Sequence, residues 1–218
     1  MNFMQDMTKG SPLRLLVSFS IPLLIGSLFQ QFYTKADSII VGKFVGAGAL
    51  ASIGACSSVI YLLFSLFFGL SAGIGIVISQ YFGAGDGSAV RRGIACSVYL
   101  LAAASLLLTL IGLVFARPIL TILGTPSEIM GDAAAYFQIT SAGLVAVAFY
   151  NGISSVLRAL GDSKTPLIFL ALAALLNVGL DLLFVPVFHM GVAGAALATA
   201  IAQFASACTC LVFSIRTN

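Results

Sequence analysis

Charged side chains are scarce in this 218-residue chain. Asp, Glu, Lys and Arg together make up only 8% of it, whereas hydrophobic residues make up 60%. The mean hydropathy is +1.13. A globule of this composition could not keep its apolar surface away from water. The composition therefore excludes a water-soluble protein and predicts an integral membrane protein.

Several other functional signals are missing. The net charge is only +3 and the basic residues form no cluster, so nucleic acid is not an expected partner. The single histidine, His189, and the four cysteines show no metal-ligand spacing. We predict that all four cysteines, Cys56, Cys96, Cys208 and Cys210, are small core residues. No small-residue cleavage site follows a short apolar region near the N-terminus, so the first helix is expected to remain.

Long apolar runs without strict alternation predict helices and not a barrel, because backbone groups in lipid must be satisfied internally. The predicted fold is therefore an all-α bundle of six transmembrane helices in a single lobe. The predicted spans are 13–45, 49–82, 92–115, 129–160, 166–186 and 191–215.

The distribution of Lys and Arg predicts the orientation. With six spans, seven basic residues fall on the side of the termini and three on the other side. The first group is Lys9, Arg14, Arg91, Arg92, Arg158, Lys164 and Arg216, and the second is Lys35, Lys43 and Arg117. By the positive-inside rule, both termini are expected in the cytoplasm.

The fifth span carries the first candidate site. Asn177 and Asp181 interrupt an apolar run between Pro166 and Pro186, and their i, i+4 spacing places them on one helix face. An ionisable group at that depth costs about 2.5–3.5 kcal/mol on insertion scales, so it usually faces protein or water. We interpret Asp181 as functional, and a structural hydrogen bond between helices is the alternative.

The first span has a polar second half that includes Gln30 and Asp37. A helix of this length outruns a membrane core of about 30 Å, which places Asp37 in the outer third of the membrane or at its edge. Asp37 is either a second buried carboxylate or an interfacial one paired with Lys35 or Lys43.

Motifs in a characteristic order support a family resemblance. Asp37 precedes VGKFVGAGALASIG, and GLSAGIGIVISQYFGAGD, LRALGDSKTP, NVGLD and GVAGAALAT follow. Over essentially its whole length the chain resembles the N-terminal lobe of bacterial and archaeal multidrug and toxic compound extrusion (MATE) transporters. The resemblance implies two six-helix lobes in the cytoplasmic membrane of a prokaryote. It also implies export of cationic or amphipathic compounds in exchange for H⁺ or Na⁺, without an enzymatic activity or a bound cofactor.

The resemblance also implies a polar cluster inside the lobe. Its members would be Asp37, Tyr136, Asn151, Asn177, Asp181 and Thr199, and Ser154 stands where some members carry an asparagine. Asp37, Asp181 and Asn177 are the expected ion-coupling residues, with Na⁺ binding at the two carboxylates as one alternative to a proton. Tyr136, Asn151, Ser154, Thr199 and Gln30 are the expected cavity residues.

One lobe alone lacks half of the moving parts of such a transporter. We therefore expect either a fragment or a half-transporter that associates with a second six-helix lobe. A related lipid-flipping transporter and a non-transporting remnant are alternatives. An intramembrane aspartyl protease also needs two membrane carboxylates, but its Tyr-Asp and Gly-x-Gly-Asp motifs are missing, since Ala36 precedes Asp37 and Asp181 ends Val-Gly-Leu-Asp.

Overall fold

The computed structural model describes residues 12–217, and every regular element in that range is an α-helix. The helices are α1 (Pro12–Phe44), α2 (Ala47–Gly83), α3 (Gly87–Val114), α4 (Ala116–Ile122), α5 (Met130–Ala142), α6 (Leu144–Ala159), α7 (Lys164–Phe184) and α8 (Gly191–Thr217). Five of them, α1, α2, α3, α7 and α8, are individually long and apolar enough to cross a membrane. The chain therefore folds as an all-helical membrane bundle, as its composition predicts.

The predicted fourth span is broken. Instead of one helix over 129–160, the structure has α5 and α6, which meet at an angle of 41°. Gly143 lies at the joint, where an added Cβ would come within 3.1 Å of the Ala200 Cβ atom on α8. The joint is therefore packed directly against α8, and α5 and α6 are together long and apolar enough to form one bent span.

Helices α3 and α7 begin earlier than predicted, and in both an aspartate just before the helix accepts hydrogen bonds from amide groups of its first turn. Asp86 accepts hydrogen bonds from the Ala89 amide (2.9 Å) and the Ser88 hydroxyl (2.7 Å), so α3 begins at Gly87 and not at 92. These bonds hold the pKa of the Asp86 carboxyl below its usual range, with the Ala89 amide as the main cause. Asp162 accepts from the Lys164 and Thr165 amides in the same way, and α7 begins at Lys164.

The short helix α4 also departs from the predicted layout. The third span was expected to reach residue 115 and close at Arg117 and Pro118, yet a further helix begins at Ala116. Proline is tolerated in the first turn of a helix, since the N–H it lacks would have no partner there. Pro118 therefore helps to start a new helix after α3 ends.

Helices α1, α7 and α8 form the part of the bundle that carries the candidate site. An added Cβ on Gly26 of α1 would face Leu167 and Leu170 of α7, and further along Ile40 and Val41 pack with Val185. Hence α1 and α7 run in the same direction. Helix α8 runs the other way, because its early residue Val192 joins that same apolar cluster.

The four cysteines differ in whether they face the interior of the bundle or its surroundings. Cys56 and Cys210 are buried, as predicted, but Cys96 and Cys208 are exposed, so the prediction that all four cysteines lie in the core is wrong for those two. Residue type alone does not reveal which side of a span faces lipid, because both sides are apolar. Residues 1–11, including Lys9 of the charge count and the stretch searched for a cleavage site, lie outside the described residues, as does Asn218.

Candidate functional site

Four polar side chains from three helices meet inside the bundle. Asp37 comes from α1, Asn177 and Asp181 come from α7, and Thr199 comes from α8. Asn177 and Asp181 are 2% and 0% exposed, so the face of α7 predicted from their spacing is indeed turned inward. We call these four residues the carboxylate cluster.

The Thr199 hydroxyl joins the three helices. It accepts a hydrogen bond from the Asn177 side-chain amide (3.1 Å) and donates one to Asp37 Oδ2 (3.2 Å). Asn177 also interacts with the Asp37 side chain directly. A single hydroxyl thus links α1, α7 and α8 at the level of the carboxylates, and its donor and acceptor capacities are both used.

Asp181 is the least satisfied member of the cluster. Its carboxyl lies next to that of Asp37, but two ionised carboxylates have no hydrogen to offer each other. Among the described residues, neither oxygen of Asp181 has a hydrogen-bond partner, and the same holds for Asp37 Oδ1 and Asn177 Oδ1. The cluster therefore presents four buried acceptor oxygens without a donor, which is costly unless a proton or a cation fills the gap.

Asp37 does not form the interfacial ion pair with Lys35 or Lys43 that was one of the two expectations. Its surroundings are Asp181, Thr199 and Asn177, whereas the Lys43 ammonium lies 5.7 Å from the centre of the Phe44 ring. Lys35 is exposed. Asp37 is thus a half-buried carboxylate that lies beside Asp181 and not in an ion pair with either lysine.

The candidate cavity residues are distributed unevenly around this cluster. Tyr136 of α5 is half-buried and packs against both apolar clusters of the bundle. It also lies within the range of electrostatic interaction with Asp37 and Asp181. Asn151 of α6 donates to the Val147 carbonyl of its own helix (2.9 Å). Ser154 is buried beside the Tyr150 side chain. The structure thus brings Tyr136 to the carboxylates, while the contacts of Asn151 and Ser154 lie elsewhere.

Gln30 lies near a second polar group that the sequence analysis did not single out. It is exposed and its side chain is next to that of Tyr33. The Tyr33 hydroxyl accepts a hydrogen bond from Gln203 Nε2 of α8 (3.3 Å). The sequence spacing could have identified Gln203, because it follows Thr199 by four residues and therefore lies on the same face of the helix.

These features define a class of protein. A helical bundle that crosses the membrane several times, with ionisable groups held between its spans, is the architecture of secondary transporters and not of a soluble binding protein. Carboxylate, amide and hydroxyl oxygens are also a donor set that suits a proton or a hard cation.

Comparison with known proteins agrees with that class. The MatE family model matches residues 22–183. The chain therefore belongs to the MATE family of multidrug transporters and is a multi-pass membrane protein. It is 38% identical over 198 residues to the probable multidrug resistance protein YpnP of Bacillus subtilis, which covers 91% of this chain and 44% of YpnP.

Two further comparisons extend over nearly all of the chain. The multidrug export protein MepA of Staphylococcus aureus is 26% identical over 210 residues, covering 96% of this chain and 47% of MepA. The outward-facing structure of a multidrug resistance MATE family transporter of the MOP superfamily superimposes with a TM-score of 0.91 at 26% identity, covering 98% of this chain and 47% of that one. The chain thus spans about half the length of the curated relatives it matches.

Proposed function

We propose that this chain is the ion-coupling lobe of a secondary antiporter that exports cationic or amphipathic compounds in exchange for H⁺ or Na⁺. The observation that carries the proposal is the pair of Asp181 carboxylate oxygens, which are fully buried and lack a hydrogen-bond donor among the described residues. Desolvated carboxylates next to each other favour a bound proton or cation over two free charges. Asp181 and Asp37 are therefore the proposed coupling residues.

The donor set fits both coupling ions. One proton held between Asp37 and Asp181 would supply the missing hydrogen bond. A sodium ion would be held by Asp37, Asp181 and Asn177, each of which has an unpaired buried oxygen, while Thr199 fixes the positions of Asp37 and Asn177. Either ion would reduce the negative charge of the pair by one and so weaken its attraction for a cationic substrate. Exchange follows because the site favours one positive charge at a time.

Transport would require a second body. Secondary transporters bind substrate between two repeats and move one against the other. The described residues supply five membrane-crossing helices, or six if the bent pair counts as one span, and the chain spans about half the length of its relatives. We therefore propose a second six-helix lobe as partner, either in the same polypeptide or as a second copy, in a prokaryotic cytoplasmic membrane. Tyr136 would line the cavity between the lobes close to the coupling pair.

Asp181→Asn in a transporter that contains this lobe tests the coupling role. We expect ion-driven substrate exchange in proteoliposomes to fall to background, because an amide can neither release a proton nor carry the charge that binds Na⁺. Insertion should be unaffected, since removal of a charge eases insertion. Imposing a pH gradient and a Na⁺ gradient separately identifies the ion.

Asp132→Asn is the matched control for that experiment. Asp132 is an exposed aspartate in the first turn of α5, so the same chemical change there should leave exchange intact. Exchange at the wild-type rate by the Asp181→Asn protein would contradict the proposal. Loss of exchange in both variants would show that the effect is not specific to the coupling pair.

A further inference from the structure

A second polar layer lies one helical turn from the carboxylate cluster. Tyr33 precedes Asp37 by four residues on α1, Ala173 precedes Asn177 by four on α7, and Gln203 follows Thr199 by four on α8. Because α8 runs opposite to α1 and α7, all three of these displacements point toward the N-terminal end of α1. The three residues therefore lie at about the same height along the bundle, where α1, α7 and α8 meet.

This layer is closed by one hydrogen bond. Gln203 Nε2 donates to the Tyr33 hydroxyl over 3.3 Å, and the two side chains are only 7% and 9% exposed. The third helix contributes only the methyl group of Ala173 at this level. At this height the space between the three helices is thus filled mainly by Tyr33 of α1 and Gln203 of α8, and not by a bulky side chain of α7.

The two layers share a crevice. Its walls are formed by the three residues of the second layer, by Asn177 and Thr199 of the carboxylate cluster, and by Ala202 of α8. The crevice is too narrow to hold a water molecule. The contact between Tyr33 and Gln203 lies across this crevice, on the side of the carboxylate cluster that points toward the N-terminal end of α1. On the other side, Asp37 is only half-buried, so the cluster lies near the surface of the lobe.

We propose that Tyr33 and Gln203 form a seal that retains the cation at the carboxylate cluster and prevents it from crossing the lobe. The inference rests on the proposed function in that the retained ion is the coupling ion. Polar side chains are costly where they face lipid, whereas Tyr33 and Gln203 are buried between helices and bonded to each other. Antiport needs such a barrier, because an ion that crosses without substrate dissipates the gradient.

The test measures ion leak through the full 218-residue chain reconstituted in liposomes. A pH indicator and a Na⁺ indicator are trapped inside, a gradient of one ion is imposed, and valinomycin with K⁺ compensates the charge. Tyr33→Phe and Gln203→Leu remove the hydrogen bond with little change in volume. A net hydrogen bond alters an opening equilibrium by roughly threefold to tenfold, so we expect the substrate-free leak to rise by about that factor. Gln203→Ala, which also opens space, should leak more.

Ser206→Ala is the matched control. The Ser206 hydroxyl donates to the Phe169 carbonyl over 3.1 Å, so it too joins α8 to a neighbouring helix, but it does not line the crevice. A pair that merely clamps helices together would behave as Ser206 does. We expect Ser206→Ala to remain as tight as the wild type.

A second substitution shows whether the leak passes through the carboxylates. Adding Asp181→Asn to Gln203→Ala should return the leak to the wild-type level. The seal is refuted if the folded, monodisperse Tyr33 and Gln203 variants stay tight. It is also refuted if Ser206→Ala leaks equally, or if the leak survives the Asp181 substitution.

The seal and the coupling role of Asp181 can fail independently of each other. If Asp181→Asn abolishes exchange in the longer transporter while the Gln203 variants stay tight, coupling stands and the seal falls. If exchange survives Asp181→Asn while Gln203→Ala leaks through the carboxylates, the seal stands as an ion barrier and the coupling role falls.

Discussion

The Thr199 hydroxyl offers a test of whether the carboxylate cluster holds three helices together. Thr199→Val keeps the shape of the side chain and removes the hydroxyl. Asp37 Oδ2 then loses its donor at 3.2 Å, and the Asn177 amide loses its acceptor at 3.1 Å. Both partners stay buried or half-buried in the bundle, so their lost bonds are not readily replaced by water.

The size of the effect follows from the two bonds. A neutral hydrogen bond contributes about 1 kcal/mol net, and one to a charged group about 1.5–3 kcal/mol. Measured side-chain bonds between membrane helices average nearer 0.6 kcal/mol. The lower scale gives roughly 1 kcal/mol for the pair and the higher scale roughly 3 kcal/mol. Because one acceptor is a carboxylate, we expect Thr199→Val to destabilise the chain by about 2–3 kcal/mol.

The assay is reversible unfolding of the full chain in a titration with SDS, followed by far-UV circular dichroism, since the chain has no tryptophan. Thr199→Ser is the matched control, because it keeps the hydroxyl and loses one methyl group, at a cost of about 0.8 kcal/mol. The valine variant should be clearly less stable than the serine variant. If the two are equally stable, the hydroxyl does not hold the helices and the inferred network is wrong.

Two further predictions concern packing and topology. Gly112→Ala should destabilise the bundle by about 1–3 kcal/mol, because the new Cβ would overlap the Ser141 side chain. In the same SDS titration Gly93→Ala of the same helix should be nearly neutral, since its Cβ would meet Ile78 at an ordinary 3.6 Å, and equal effects would contradict the contact. In a cysteine-free background, a thiol probe at Ser88 should react only from the cytoplasm and one at Ser127 only from outside, and the reverse pattern would overturn the orientation.

The inward face of α7 could be predicted from sequence, and the reason is energetic. A carboxylate within an apolar run of about 20 residues is too costly to face lipid, and the structure buries both Asn177 and Asp181. Periodicity cannot give partners on other helices. Thr199 and Asp37 are 162 residues apart, and only the packing of α1, α7 and α8 brings them together.

The broken fourth span was not predictable from local sequence. No proline interrupts residues 129–160, and a single glycine such as Gly143 is tolerated inside a helix. The joint between α5 and α6 instead reflects tertiary packing, because Gly143 fits against Ala200 where a larger residue would not. A family resemblance could suggest which residues cluster, but not that the span next to Thr199 is bent.

The absence of a resident counter-ion explains why this cluster suits exchange better than a structural role. No described lysine, arginine or histidine is hydrogen-bonded or paired with Asp37 or Asp181, whose neighbours are each other, Asn177 and Thr199. A fixed cation beside the pair would compete permanently with a mobile ion for the same carboxylates. A purely structural carboxylate would have its oxygens satisfied by neighbouring donors, whereas both oxygens of Asp181 lack one. The cluster is therefore a buried site whose unpaired oxygens suit a mobile proton or cation, which is what the proposed antiport requires.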